Sequence, residues 1–92
     1  MIKRERIEII YDVLKAIQDK GGKAKPTHIL YKSNLSSQMM KQYLMSLIEK
    51  GFIEEVRDKK NKYYVLNKKG FEYIKDFDMI RKFMDSYDLN ES

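Results

Sequence analysis

Apolar residues in this chain keep a helical spacing as far as Gly51, lose it between Ile53 and Leu66, and return to a helical spacing beyond Asn67. That order of periods constrains the fold more tightly than anything in the composition. The first stretch, from about Arg4 to Lys20, places Ile7, Ile10, Leu14 and Ile17 at steps of three and four, with Tyr11 and Val13 beside them. One face of a helix is then apolar. Gly21-Gly22 ends it, because glycine takes a left-handed conformation without strain.

Pro26 suits the first turn of a second helix, where its missing N–H is no loss. This helix is about two turns long. Ile29 and Leu30 are expected to point inward with Tyr31 alongside, and Asn34 is the expected terminator. Ser36 is the expected N-cap of a third helix. Leu35 before it and Met40 within it form a hydrophobic staple. The inner face is Met40, Tyr43, Leu44, Leu47 and Ile48, and Gly51 stops the helix. Residues 53–57 and 62–66 read as two strands joined by the polar turn DKKN. Asn67 reads as the cap of a last helix running from about Lys68 to Tyr87.

Three helices, a β-hairpin and a further helix make a mainly α (α+β) chain of order α-α-α-β-β-α. This is a winged helix-turn-helix, in which the hairpin is the wing. Residues 1–70 are expected to form that unit and residues 71–92 a C-terminal dimerisation helix. The charge divides at the same place. Residues 1–70 hold 16 Lys and Arg against 8 Asp and Glu, a balance of +8, and residues 71–92 hold 3 against 6, a balance of −3. A basic body with an acidic tail suits a body that meets a polyanion.

The third helix carries the reading hypothesis. Its outward positions are Ser37, Gln38, Lys41, Gln42, Met45 and Glu49. With Ser36, the first four cluster in the N-terminal half, where this motif touches base edges in the major groove. Glutamine pairs bidentately with adenine, serine donates or accepts, and lysine meets phosphate or guanine. A polar outer face belongs to any surface helix, so the preceding helix and following hairpin carry the argument. The wing candidates are Arg57, Lys59, Lys60 and Lys62, placed to reach the backbone or the minor groove. Lys25 and Lys32, with Lys23, flank the second helix as backbone contacts, and Arg4 and Arg6 are secondary candidates. His28 is expected to be a partly exposed helix residue without a special role. Tyr63 and Tyr64 alternate across their strand, so one packs and one is exposed.

In the last helix Tyr73, Phe77, Ile80, Met84 and Tyr87 are spaced 4, 3, 4, 3, the alternation of a coiled-coil seam, and Phe83 widens the stripe. Phe71 and Ile74 are expected to pack on the core. A homodimer joined through this stripe follows, because a protruding row of aromatics is costly to leave in water.

The segments RIEIIYDVLKAI, KPTHILYKSNLSSQMMKQYLMSLIEKGFIEE and YYVLNKKGFEYI resemble the archaeal winged-helix DNA-binding proteins of the Sulfolobus 10a chromatin-protein type. Small archaeal and archaeal-viral winged-helix regulators have a similar size. Thr27, Ile29, Tyr31, Asn34, Leu35 and Ser36 match the run before the recognition helix. Tyr43, Leu44, Leu47, Gly51 and Ile53 match the run through it, with Phe52 in place of leucine. The resemblance covers nearly the whole chain. It implies double-stranded DNA binding by a homodimer joined through C-terminal helices, although the last helix here is shorter than the antiparallel coiled coil of those proteins.

A single histidine, no cysteine, no glycine-rich phosphate loop and no evident carboxylate pair argue against an enzyme. No metal, cofactor or small-molecule ligand is expected. No long apolar run suggests a signal peptide or a membrane span, so a cytoplasmic, DNA-associated protein is the expectation. The leading function is a dimeric, sequence-reading transcriptional regulator. The alternatives are an architectural DNA binder with low sequence preference and a winged-helix protein-docking module.

Overall fold

The computed structural model describes residues 5–89. Its elements run α1 (Arg6–Gln18), β1 (Lys23–Ala24), α2 (Pro26–Ser33), α3 (Ser37–Glu49), β2 (Ile53–Asp58), β3 (Asn61–Leu66) and α4 (Lys68–Ser86). The expected order holds, with one addition. The two-residue strand β1 pairs antiparallel with β3, giving a sheet of order β1-β3-β2. Arg4 lies outside the described residues.

Local chemistry sets most boundaries. In α1 the Glu8 carboxylate accepts from the Glu5 N–H at 3.3 Å. Gly21 and Gly22 take positive φ and close the helix, with the Gly22 N–H bonded to the Ile17 carbonyl at 3.0 Å. Asn34 ends α2 in the left-handed region at φ 55°. Ser36 caps α3, its hydroxyl accepting from the Met39 N–H at 3.1 Å. Gly51 repeats the pattern of Gly21, and the Phe52 N–H, like that of Gly22, reaches back to a carbonyl five residues before, that of Leu47, at 2.9 Å. Asn67 occupies the cap position of α4, but its amide donates to the Gly51 carbonyl at 3.2 Å instead of capping its own helix. Beside it, Lys69 donates to the Lys50 carbonyl at 2.9 Å. The first turn of α4 is thereby fastened to the last turn of α3.

The core gathers Val13, Leu14 and Ile17 of α1, Ile29 of α2, Met40, Leu44 and Leu47 of α3, Ile53, Tyr64 and Leu66 of the sheet, and Ile74 of α4. Two expectations fail here. Tyr31 is 81% exposed. It sits about 200° around α2 from Ile29, so the two cannot share a face at 3.6 residues per turn. Ser33, one turn after Ile29, fills the inward position and donates its hydroxyl to the Ile29 carbonyl at 2.6 Å. In α1, Ile7 is 59% exposed, whereas Ile9, Val13 and Ala16 are buried. The inward arc is wide because α2 and α4 both pack on this helix.

The contact between α1 and α4 is aromatic and polar together. Tyr11 stacks on Phe77 with centroids 4.4 Å apart, and its hydroxyl donates to Asp78 at 2.7 Å. Tyr73 donates to the Ile7 carbonyl at 2.7 Å. The Arg81 guanidinium closes the cluster 5.5 Å from the Phe77 ring. Burial first, then the hydrogen bond and charge of Asp78, push the Tyr11 phenol from 10.0 up to about 12. The unfolded chain therefore loses this proton near pH 10 while the folded one keeps it to about pH 12, and stability falls across that window. In urea unfolding from about pH 9 upward, Tyr11→Phe is expected to be the less stable protein at first. Its deficit should shrink by up to about 2–3 kcal/mol as the wild-type phenol is forced to ionise. A deficit constant across the range would contradict this.

Candidate nucleic-acid interface

A helix offered to a groove needs its inner face buried and its outer face free. In α3, Met40, Leu44 and Leu47 are buried and Tyr43 and Ile48 half-buried, while Ser36, Ser37, Gln38, Lys41, Gln42, Met45 and Glu49 are exposed. The five candidate reading residues therefore lie on one free surface at the N-terminal half of the helix. They divide by role. The Ser36 hydroxyl is committed to the cap, so it fixes the start of the helix and leaves Ser37, Gln38, Lys41 and Gln42 as the free polar groups.

Arg6, a secondary candidate from the sequence, stands closer to this surface than its place in the chain implies. In the fold it joins Met39, Gln42, Tyr43 and Ser46 around a shallow depression of about 270 Å³, so a guanidinium from α1 stands beside the reading face. The only sequence signal was its basic character, because its neighbours are more than thirty residues away.

The wing forms one residue further along each strand than expected. Asp58 pairs with Asn61, and the turn proper is Lys59-Lys60, with Lys59 at φ 57°. Both turn lysines are exposed and make no ion pair among the described residues. Arg57 and Lys62 differ. Arg57 pairs across the hairpin with Lys62, and Glu55, two residues back on the same face, holds both, at 3.6 Å and 4.0 Å. The candidate wing thus has two free cations at its tip and two shared with a carboxylate at its base. Lys25 occupies the position before the first turn of α2 and Lys32 lies in its last turn, both exposed, so the flanking pair brackets that helix. Tyr64 packs as one of the pair was expected to, but Tyr63 is half-buried instead of exposed, because the Lys23 ammonium lies 4.4 Å from its ring centroid.

The proposed seam is divided. Tyr73 and Phe77 are engaged inside the protomer, against Phe52 and Tyr11. Ile80 (62%), Phe83 (58%) and Tyr87 (66%) are exposed, Met84 is half-buried, and Met79 and Leu89 add further exposed apolar surface. Phe83 and Tyr87 rest on one another with centroids 5.0 Å apart. Ile74 is buried as expected; Phe71 is 42% exposed. No helix among the described residues is long and apolar enough to cross a membrane.

A family model described as winged helix-turn-helix matches residues 3–85. The chain belongs to the winged helix-turn-helix family. An uncharacterized protein of Methanocaldococcus jannaschii is 35% identical to this winged helix over 69 residues, which are 75% of this chain and 30% of that one. The chain therefore spans about a third of that relative's length. Among solved structures, Sso10a-2, a DNA-binding protein from Sulfolobus solfataricus, superposes with a TM-score of 0.74 at 24% identity, covering 92% of this chain and 90% of that one. F93 from STIV, a winged-helix DNA-binding protein, superposes at 0.72 with 22% identity, covering 87% and 92%. At these identities both show a common fold.

Proposed function

We propose that this winged helix is a dimeric, sequence-reading DNA-binding protein that acts as a transcriptional regulator. The carrying observation is the free surface of α3, where Ser37, Gln38, Lys41 and Gln42 stand exposed over a buried apolar face. In the proposed complex α3 lies in the major groove, with Gln38 and Gln42 one turn apart on adenine edges. Lys59 and Lys60 reach the backbone or minor groove from the wing, and Lys25 and Lys32 take phosphates along α2. The exposed stripe Ile80, Phe83 and Tyr87 joins two copies, so that two α3 helices meet two half-sites. The DNA-binding function named for Sso10a-2 and F93 supports the reading. A chromatin-type binder with low sequence preference is the second reading, supported by the +8 balance of residues 1–70.

Binding to random and genomic DNA fragments across a salt series, with mass measured in the same buffer, tests the proposal. Selected fragments should survive excess competitor and should be held by a dimer. Uniform, steeply salt-sensitive binding would favour the architectural role, and no binding at low salt would end both. On a selected site, Gln38→Ala and Gln42→Ala should each cost about 1–3 kcal/mol while non-specific affinity stays unchanged. Lys59→Gln with Lys60→Gln should instead weaken all sequences alike and lower the salt slope by about 2. Equal losses on all DNA from the glutamine changes would remove α3 as the reader.

A further inference from the structure

The sequence suggested no ligand pocket, yet the fold makes one away from the outward face of α3. An open cleft of about 490 Å³ lies where the loop after α1, the strand β1, the start of α2 and the strand β3 come together. That volume falls in the range of small-molecule sites. Its walls include Lys20, Lys23, Lys25, His28, Tyr31 and Tyr63, and no acidic residue lines it.

Three features give this cleft a chemical preference. The first is charge. Three ammonium groups share a concave surface with no lining carboxylate, which favours an anion there. Lys23 and Lys25 both lie over the Tyr63 ring, at 4.4 Å and 5.9 Å from its centroid, so their heads are already gathered on one side of the cleft. The second is an orphaned polar atom. The Nε2 of His28 is shut from solvent and has no hydrogen-bond partner among the described residues. A polar atom left in that condition is expensive, and a turn of the imidazole, which lines the cleft, would let a ligand oxygen relieve the cost. The third is aromatic surface. Tyr31 is turned outward on α2 and 81% exposed, although its neighbours in sequence Ile29 and Leu30 are buried or half-buried. A flat ring in the cleft has Tyr31 and Tyr63 to lie against.

We infer that this cleft is a binding site for a small molecule that carries an oxyanion, such as a phosphate, on a flat ring. Lys23, Lys25 and His28 take the anion, Lys20 adds its charge from the α1 side, and the two tyrosines take the ring. The site shares Lys25 with the proposed DNA contacts and goes beyond them through Lys20, His28 and the two tyrosines. It sits at the start of α2, the helix that leads into the reading helix through the Asn34 turn.

Phenyl phosphate and inorganic phosphate are the probes, added to the full chain and followed by amide and tyrosine ring resonances. Phenyl phosphate is expected to shift the amides of Ala24, Thr27 and His28 and the rings of Tyr31 and Tyr63 saturably, while the amides of Gln38 and Gln42 stay still. Inorganic phosphate should move the same amides at higher concentration. The double variant Lys23→Gln, Lys25→Gln, which changes only exposed side chains, should weaken phenyl phosphate about tenfold or more. No saturable response, or an undiminished one in the double variant, would overturn the site. A short duplex is the second arm. Bound duplex with phenyl phosphate still able to bind supports a free ligand. Duplex that displaces phenyl phosphate would overturn the free-ligand assignment and give the cleft to a DNA phosphate. The phenyl phosphate arm holds even if the protein proves to bind no DNA, so the two proposals fail separately.

Discussion

Ile80→Asp combined with Phe83→Asp is expected to leave a folded monomer whose affinity for a two-half-site DNA falls by about 100-fold or more. Both side chains are exposed in the protomer, so their loss removes no core contact. Phe77, Asp78 and Arg81 hold α4 to α1 through Tyr11, and neither Ile80 nor Phe83 takes part in that cluster. Thermal unfolding should therefore change little beyond what dissociation itself causes. The DNA effect is large for a different reason. In a dimer the second half-site is met at a high local concentration, and linkage of that kind commonly contributes 10² to 10⁴ in avidity, so about 100-fold is the low end. Two carboxylates per chain, four across the seam, add repulsion to a segment already acidic at −3. The check is mass in solution beside binding to a full site and to a single half-site. Half-site binding should be unchanged. A wild-type chain that already runs at the mass of one protomer would sink the seam, and an undiminished full-site affinity in the double variant would sink its role in binding.

The seam also shows where the sequence was legible and where it was not. Features fixed by neighbours within a few residues could be read: the Ser36 cap, the left-handed Asn34, the glycine stops, the outward face of α3 and the hairpin between Ile53 and Leu66. Features fixed by distant partners could not. The heptad spacing correctly found an apolar stripe in α4, but spacing does not say which part of a stripe the chain consumes itself. Tyr73 and Phe77 go to α1 because Tyr11 and the Ile7 carbonyl meet them there, pairings across more than sixty residues. The strand β1 is two residues long and has no period to detect; it exists because β3 has a free edge beside it. In α2, three successive apolar residues over two turns left the phase of the helix open, and Tyr31 was placed on the wrong side. The cleft depends on both of these misses, since β1 brings Lys23 to Tyr63 and the phase of α2 turns Tyr31 outward. Glu55 could have been found. Two residues before Arg57 and on the same strand face, it was bound to temper the wing's charge once the hairpin register was drawn.

Gly70→Ala is expected to be the most damaging single methyl in the chain. Gly70 lies in the first turn of α4 with ordinary helical φ, so no conformational need requires glycine there. By intrinsic preference alone, alanine in a helix gains about 1 kcal/mol over glycine. Packing reverses the sign. A Cβ at this position would stand 2.5 Å from the carbonyl oxygen of Phe52 and 3.0 Å from Leu66 Cδ2. The oxygen is backbone, and it already accepts from the Asn67 N–H at 3.0 Å, so it cannot swing aside without breaking the join between α3 and α4. The whole first turn of α4 must lift instead. That loosens Asn67 on Gly51 and Lys69 on Lys50, and it shifts Ile74 one turn on. Overpacking of this kind costs about 3 kcal/mol, at the upper end of its range because the obstruction is main chain, leaving a net loss of about 2 kcal/mol. For a domain this small the loss corresponds to a fall in Tm of about 10 °C. Gly21→Ala makes the useful comparison. It meets no atom within 4 Å but sits at φ 75°, so its cost is conformational and about 1 kcal/mol. Denaturant unfolding of the two variants side by side separates close approach from backbone strain. A Gly70→Ala protein as stable as wild type would mean that α4 does not seat on the α3 turn as described, and the placement of its exposed stripe would fall with it.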